Sequence, residues 1–416
     1  MKNKEKACRT MKQQAKPLAL YIHIPFCVRK CLYCDFLSFS SEESQKEQYV
    51  QALRKEMSQW KKWLSGKYYI KTVFIGGGTP TCLPAKLLDA LGMAIQDFCQ
   101  SLQQTEKTKM PVEVTIEANP GTIKKEQISI LKKYGINRVS VGLQSAQSNE
   151  LQALGRIHTY EEFLKSFDLL CKNGISNINI DLMADIPQQT LASYQDTLKK
   201  VIALHPQHIS SYSLIVEEGT PFYQMQQQNR LPIPDEDTDR KMYEITQEML
   251  AESGYHRYEI SNYAMEGKEC LHNMAYWQMQ EYLGLGLGAS SYFAGFRFQN
   301  TNRMKDYLLM WQKENDAAWA DCSKYLKQKT KGCHLLSCRE EKEEFVFLGL
   351  RMMQGISLSE YQERFQSDFL IQYENVLPKL FEQKLLAQSE NRDRIYLTDR
   401  GIDLSNAVLA EFLLDE

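Results

Sequence analysis

The chain is short of the features that announce a location or a partner. Its 416 residues contain no apolar run of about 18 residues, so no transmembrane helix is expected. Met1 to Lys16 is polar and basic and lacks the apolar stretch of a secretory signal, which makes the cytosol the expected compartment. Neither sign of charge dominates: 50 basic and 52 acidic residues leave a formal net charge of −2. No global field therefore recruits nucleic acid or an anionic membrane, although a peripheral membrane contact stays open. Low-complexity tracts are missing too. So is a paired cysteine framework, because 11 cysteines are an odd number scattered along a chain long enough to fold without staples. Three of them, however, fall within eight residues and need their own explanation.

What is present is a repeat of short β-branched runs and longer amphipathic stretches. Leu18–Ile24, Thr72–Ile75, Glu113–Glu117, Arg138–Leu143, Asn177–Met183 and His208–Ile215 have the length and composition of strands. Between them, Ser44–Leu64, Ala85–Leu102, Lys124–Tyr134, Tyr160–Asn173 and Leu191–Leu204 carry apolar residues at three- and four-residue spacing, as in Phe163, Phe167, Leu170 and Cys171. Gly135 and Gly174 stand where left-handed helix caps are expected. Six strand–helix units predict an α/β protein with a parallel sheet curled into a partial (β/α)6 barrel. In such a sheet the reactive site lies at the C-terminal ends of the strands. There the sequence collects its cysteines, Gly76-Gly77-Gly78-Thr79-Pro80, Glu117-Ala118-Asn119-Pro120, Gln144-Ser145 and Asp181.

This reading divides the chain into a polar extension (1–17), the partial barrel (18–230), a barrel extension (231–302), a connector (303–340) and a small, mainly helical, winged-helix-like domain (341–416). Pro232 and Pro234 mark the start of the second region, a helix is expected over Asp235–Gly254, a strand over Arg257–Ser261 and a hairpin over Leu386–Leu397.

Cys27, Cys31 and Cys34 are spaced C-x3-C-x2-C. Iron–sulfur cubanes are held by thiolates, normally four. With three, one iron keeps an open site that the amino and carboxylate groups of S-adenosylmethionine can fill, and an electron from the cluster can then cleave the sulfonium. A zinc-stabilised barrel is the bland rival. Zinc usually takes paired C-x2-C motifs or a four-ligand Cys/His set, and the nearby His23 sits on a predicted strand.

That spacing, with Tyr-Ile-His-Ile-Pro-Phe-Cys27, Gly-Gly-Gly-Thr79-Pro, Ile-Glu117-Ala-Asn-Pro, Val-Gly-Leu-Gln144-Ser and Asp181-Leu-Met in register, resembles the radical SAM superfamily and within it the anaerobic coproporphyrinogen III oxidase family. The resemblance implies a [4Fe-4S] cluster on Cys27, Cys31 and Cys34. It implies S-adenosylmethionine contacts at Tyr21, Gly77, Gly78, Thr79 and Glu117. Gln144, Arg156 and Asp181 match positions around a second S-adenosylmethionine in the true oxidases. Those oxidases carry a further cysteine two residues after the third; this chain has Phe36 there.

His272-Asn-Met-Ala-Tyr276-Trp277 reads H-N-x-x-Y-W and resembles the hallmark of the HemW branch, regarded as heme chaperones. The resemblance implies heme binding at His272, Tyr276 and Trp277; on chemical grounds Arg257 or Arg297 is expected to meet the propionates through paired hydrogen bonds. It implies delivery of heme to a respiratory acceptor protein and an external electron donor, and leaves a homodimer open. Oxygen-independent coproporphyrinogen III dehydrogenase is the alternative. Two departures from the pattern, Asp185 where glycine is usual and Leu287 where proline is usual, are expected to reshape the S-adenosylmethionine pocket.

Overall fold

A computed structural model describes residues 15–102, 111–312, 326 and 330–414. Most of the expected polar extension and part of the expected connector lie outside the described residues.

Six parallel strands lie side by side in chain order: β1 (Lys16–Ile24), β2 (Tyr68–Gly77), β3 (Glu113–Ala118), β4 (Arg138–Gln144), β5 (Ile178–Ala184) and β6 (His208–Ser213). The partial barrel is thus as expected, with strands starting and ending within a few residues of the sequence reading. The sheet also grows at both edges. Beyond β6 lie β8 (Asn262–Ala264) and β7 (His256–Glu259), both antiparallel. Beyond β1 lie β9 (Tyr282–Leu285), parallel to it, and then the antiparallel β10 (Ser290–Phe293), β11 (Phe296–Gln299) and β12 (Lys331–Leu335). The glycine-rich return is therefore a strand that covers the β1 edge, a role not legible from its composition.

Successive side chains of a strand face opposite sides. In β4, Val139, Val141 and Leu143 are fully buried among the outer helices, whereas Arg138, Ser140, Gly142 and Gln144 line an interior cavity. β5 repeats the pattern, with Ile178, Ile180 and Leu182 outward and Asn179, Asp181 and Met183 inward. The outer helices follow from their apolar stripes. In Tyr160–Lys172, Phe163, Phe167 and Leu170 are buried, Thr159 and Glu162 form a reciprocal cap, and the chain leaves through Gly174 at φ +80°. Cys171, read into that stripe from its spacing, is exposed.

The Asp235 side chain caps the helix Glu236–Glu252 by accepting from Thr238 N at 2.8 Å. In the C-terminal region, helices surround a small sheet of β13 (Ile356–Ser357), β15 (Arg394–Leu397) and β14 (Leu386–Gln388), so the expected hairpin is formed by β14 and β15. This region has its own core around Phe345, Tyr361, Phe369, Ile395 and Phe412. No helix among the described residues is long and apolar enough to cross a membrane.

Neither sequence departure lines the cavity. Leu287 is fully buried in the main core, and its N–H donates to the Tyr49 hydroxyl at 3.0 Å, a bond that proline has no hydrogen to make. Asp185 sits at φ +62°, the left-handed conformation that glycine adopts without cost. Burial, and then the charge of Asp239, push its carboxyl up to about 7. The folded chain keeps that proton where the unfolded chain has lost it, so stability tied to Asp185 falls as pH rises from about 4 to about 7. Asp185→Gly is expected to stabilise the chain by about 0.5–1 kcal/mol, and by more at pH 8 than at pH 5. Urea unfolding at both pH values checks this; a gain independent of pH removes the electrostatic part.

Candidate functional site

The cysteine loop leaves the end of β1 and closes over the barrel mouth. Cys27, Cys31 and Cys34 are free thiols, partly exposed, and all three line a cavity of about 600 Å³ that reaches down into the barrel. The loop is held from three sides. Cys27 N donates to Phe39 O at 3.1 Å, Leu32 N to Leu154 O at 3.1 Å, and Lys30 Nζ to Phe36 O at 2.8 Å. Phe36, in the place of the oxidases' extra cysteine, is 64% exposed.

His23 braces the loop from inside. Its Nε2 donates to Leu37 O at 2.9 Å, which leaves Nδ1 to accept from the Tyr21 hydroxyl at 2.9 Å. Both nitrogens are therefore occupied, and the imidazole considered for a zinc set is not a free donor. Among the described residues no group of three or more His, Cys, Asp or Glu side chains is placed to hold a single metal ion.

The glycine triplet at the end of β2 makes room for this arrangement. A Cβ on Gly77 would stand 2.4 Å from His23 Cε1, one on Gly78 would stand 2.6 Å from Phe26 O, and one on Gly76 would stand 2.9 Å from the Glu117 carboxyl. Gly77 also has φ +111° and donates its N–H to Glu117 Oε2 at 2.9 Å. Burial, and then the charge of Asp181, push Glu117 up to about 7. Thr79 accepts from Asn119 Nδ2 at 2.7 Å and lies 3.6 Å from Cys27 Sγ.

Arg156 ties the other wall to the loop. It donates to Asn119 Oδ1 at 2.7 Å and to Gly142 O, and reaches Cys31 Sγ at 3.6 Å. Its Nε is buried without a partner among the described residues. Asp181 accepts from Asn179 Nδ2 at 2.7 Å and from Ser140 Oγ at 3.2 Å. Gln144, at φ +72°, accepts from the Tyr212 hydroxyl at 3.1 Å. The structure thus brings together every residue singled out for the cluster and S-adenosylmethionine, with Gly77, Gly78, Glu117, Gln144, Arg156 and Asp181 around one cavity and Tyr21 just behind it. It adds Phe74, Asn119, Arg138 and Asn179, and makes His23, weighed in the sequence only for zinc, a brace of the loop. The only sequence signal of the four was the inward phase of their strands, or, for Asn119, its place in the Glu-Ala-Asn-Pro turn.

The heme-linked residues separate into two settings. Tyr276 and Trp277 line a second cavity, of about 720 Å³, with Tyr21, Phe36, Arg297 and Leu348. Arg257 is not on it and donates instead to Tyr243 and to backbone carbonyls. His272 is 1% exposed, with Nδ1 2.9 Å from Thr72 Oγ1 and Nε2 2.8 Å from the Tyr276 hydroxyl. In this arrangement it has no nitrogen free for iron. Glu113 fixes the start of its helix by accepting from Leu271 N and His272 N, each at 3.0 Å.

A profile of the radical SAM superfamily matches residues 21–201, and one of the HemN C-terminal domain matches residues 336–404. Over 97% of this chain and 91% of that one, the fold is similar to the Escherichia coli coproporphyrinogen III oxidase (HemN), with a TM-score of 0.78 and 21% identity. These matches and the cysteine-bearing barrel define a radical SAM protein with a HemN-type C-terminal domain. Full-length relatives narrow the class. The chain is 35% identical to the heme chaperone HemW of Lactococcus lactis over 96% of this chain and 98% of that one. It is also 35% identical to that of Bacillus subtilis, over 94% and 98%. The chain belongs to the HemW family.

Two outcomes follow from this geometry. Gly77→Ala is expected to cost roughly 1–3 kcal/mol, because strain at positive φ adds to a collision with His23, whereas Gly121→Ala, at φ +78° with nothing within 4 Å, is expected to cost about 1 kcal/mol. Equal losses in urea unfolding of the cluster-free chain would remove the steric role. Second, burial, followed by the charge of Arg138, lowers His272 to about 3. The folded protein holds it neutral while the unfolded chain takes up a proton below about pH 6.5, so stability falls as pH drops. Wild type is expected to lose roughly 1 kcal/mol through this residue between pH 7.5 and 5.5, a slope that His272→Gln should lessen in the same assay.

Proposed function

We propose that the chain is a heme chaperone: it binds heme, carries a [4Fe-4S] cluster with S-adenosylmethionine, and passes heme to a respiratory acceptor protein. The observation that carries this reading is that the two cavities share the cysteine loop as a common wall. Lys30, Asp35, Phe36 and Ser38 line both. A group held by the loop would therefore lie one wall away from the aromatic side.

The residues fit the cluster. Among the described residues three thiols and no fourth cysteine line the cavity, and Arg156 directs an N–H group toward one of them. The triplet Gly76–Gly78 lets β2 pack directly on His23, Phe26 and Glu117, and so sets the cysteine loop close against the cavity. Cys27, Cys31 and Cys34 would hold the cluster, leaving one iron for S-adenosylmethionine. When bound, this pair supplies one-electron chemistry, driven by an external donor. The chain's own part is to bind and orient. Glu117 offers a carboxylate to an ammonium group, Gly77 and Gly78 let backbone approach closely, and Tyr21 and Phe74, stacked at 6.3 Å, close the side of the site.

Heme is assigned to the 720 Å³ cavity, between Tyr276 and Trp277 on one side and Phe36 and Leu348 on the other, with Arg297 and Lys30 available to carboxylates. His272 acts as a positioning residue that holds the Tyr276 ring through its hydroxyl. Anaerobically reconstituted chain titrated with heme should bind it. Tyr276→Ala and Trp277→Ala are each expected to weaken binding at least about ten-fold, near 1.4 kcal/mol. His272→Ala should weaken it less. Serine at Cys27, Cys31 and Cys34 should abolish the iron–sulfur chromophore. No heme binding by wild type, or unchanged binding in the two aromatic variants, would overturn the assignment.

A further inference from the structure

Arg138 is the first residue of β4, so its side chain enters the barrel at the end opposite the cysteine loop. It is 2% exposed and lines the 600 Å³ cavity. Among the described residues its guanidinium makes neither a hydrogen bond nor an ion pair, and Nε is buried without a partner. The nearby acids do not serve it. Glu113 spends its oxygens on Leu271 N, His272 N and the Cys270 thiol, and Asp181 spends its own on Asn179 and Ser140. His208 is likewise engaged, by Asn179 and the Tyr258 hydroxyl. Asn262, on the same cavity wall, has a buried Oδ1 that also lacks a partner among the described residues.

A buried Nε without an acceptor is costly, and the cost is recovered when a ligand in the cavity brings the missing acceptor to the guanidinium. We propose that Arg138 anchors a ligand site on the barrel floor, distinct from the cluster rim, which takes the carboxylate of a small molecule. The planar fork of Arg138 suits the two oxygens of a carboxylate. A monoanion is favoured over a phosphate dianion because Glu117 and Asp181 line the same chamber and Glu113 lies near Arg138. The free Oδ1 of Asn262 selects a molecule that also carries an N–H or O–H donor.

The probe pair 4-hydroxybenzoate and 4-hydroxybenzamide isolates the charge, since the two share size and hydroxyl donor. In calorimetry on the anaerobically purified full chain, without heme or S-adenosylmethionine, the acid is expected to bind at least ten-fold more tightly than the amide. Arg138→Met is expected to bring the acid down to the level of the amide, and Arg138→Lys to restore part of the difference. Equal binding of acid and amide by wild type overturns the proposal without reference to any variant. So does absence of binding by the acid at 10-millimolar order, or an acid affinity unchanged in Arg138→Met. None of these outcomes bears on heme binding in the aromatic cavity.

Discussion

The pleat of the parallel strands governs the rest of the molecule. Each of the six barrel strands must turn alternate residues toward the outer helices and toward the interior. The outward set is aliphatic and completely buried, as in Val139, Val141, Ile180 and Leu182. Because that set settles the register, the inward set is free to be polar, and it is: Tyr21, Glu117, Arg138, Ser140, Asn179 and Asp181. A one-residue slip would exchange the two faces, placing charges against the helices and emptying the chamber of its chemistry.

Against this rigid frame the cysteine loop is held by fitted contacts rather than by secondary structure. His23 links Tyr21 to the backbone of Leu37, and the glycine triplet of β2 brings strand and loop closer than any side chain would allow. On the other edge, Gly286 packs its α-carbon against β1, where a Cβ would meet Tyr49 Oη at 2.5 Å and His23 O at 2.7 Å. The Tyr49 hydroxyl donates to His23 O and accepts from Leu287 N, and the buried Glu56 accepts from Gly286 N, Asn300 and Tyr307. These bonds lock β9 to β1 and so build the wall that the aromatic cavity shares with the loop.

The Leu271–Trp277 helix connects three parts of the molecule. Its first turn is pinned by Glu113 and Thr72 at the barrel floor, and Tyr276 stands beside Tyr282 of β9, ring centroids 4.5 Å apart. Trp277 lies under the Arg351 guanidinium, 4.6 Å from it, in the C-terminal region. The C-terminal region thus touches the aromatic cavity at Trp277, and Tyr276 and His272 continue the line of contacts to the barrel floor. The helix is short, and its position derives from these partners rather than from propensity.

Local pattern in the sequence determined much: six strands with their helices, the left-handed caps after two of them, the C-terminal hairpin, and the gathering of cysteines, glycines and acids at one rim. Each of these depends on neighbours a few residues apart, whose periodicity and turn chemistry are written in order. The family membership was legible for the same reason, since its motifs are local and in register. Tertiary structure alone decided the rest. It made the glycine-rich return a strand beside β1, turned His272 inward onto Thr72 and Tyr276, put Leu287 in the core, and left Arg138 without an acceptor among the described residues inside a polar chamber. Such facts depend on residues distant in the chain meeting at hydrogen-bond range, and no spacing along one strand or helix records which donors and acceptors will find each other.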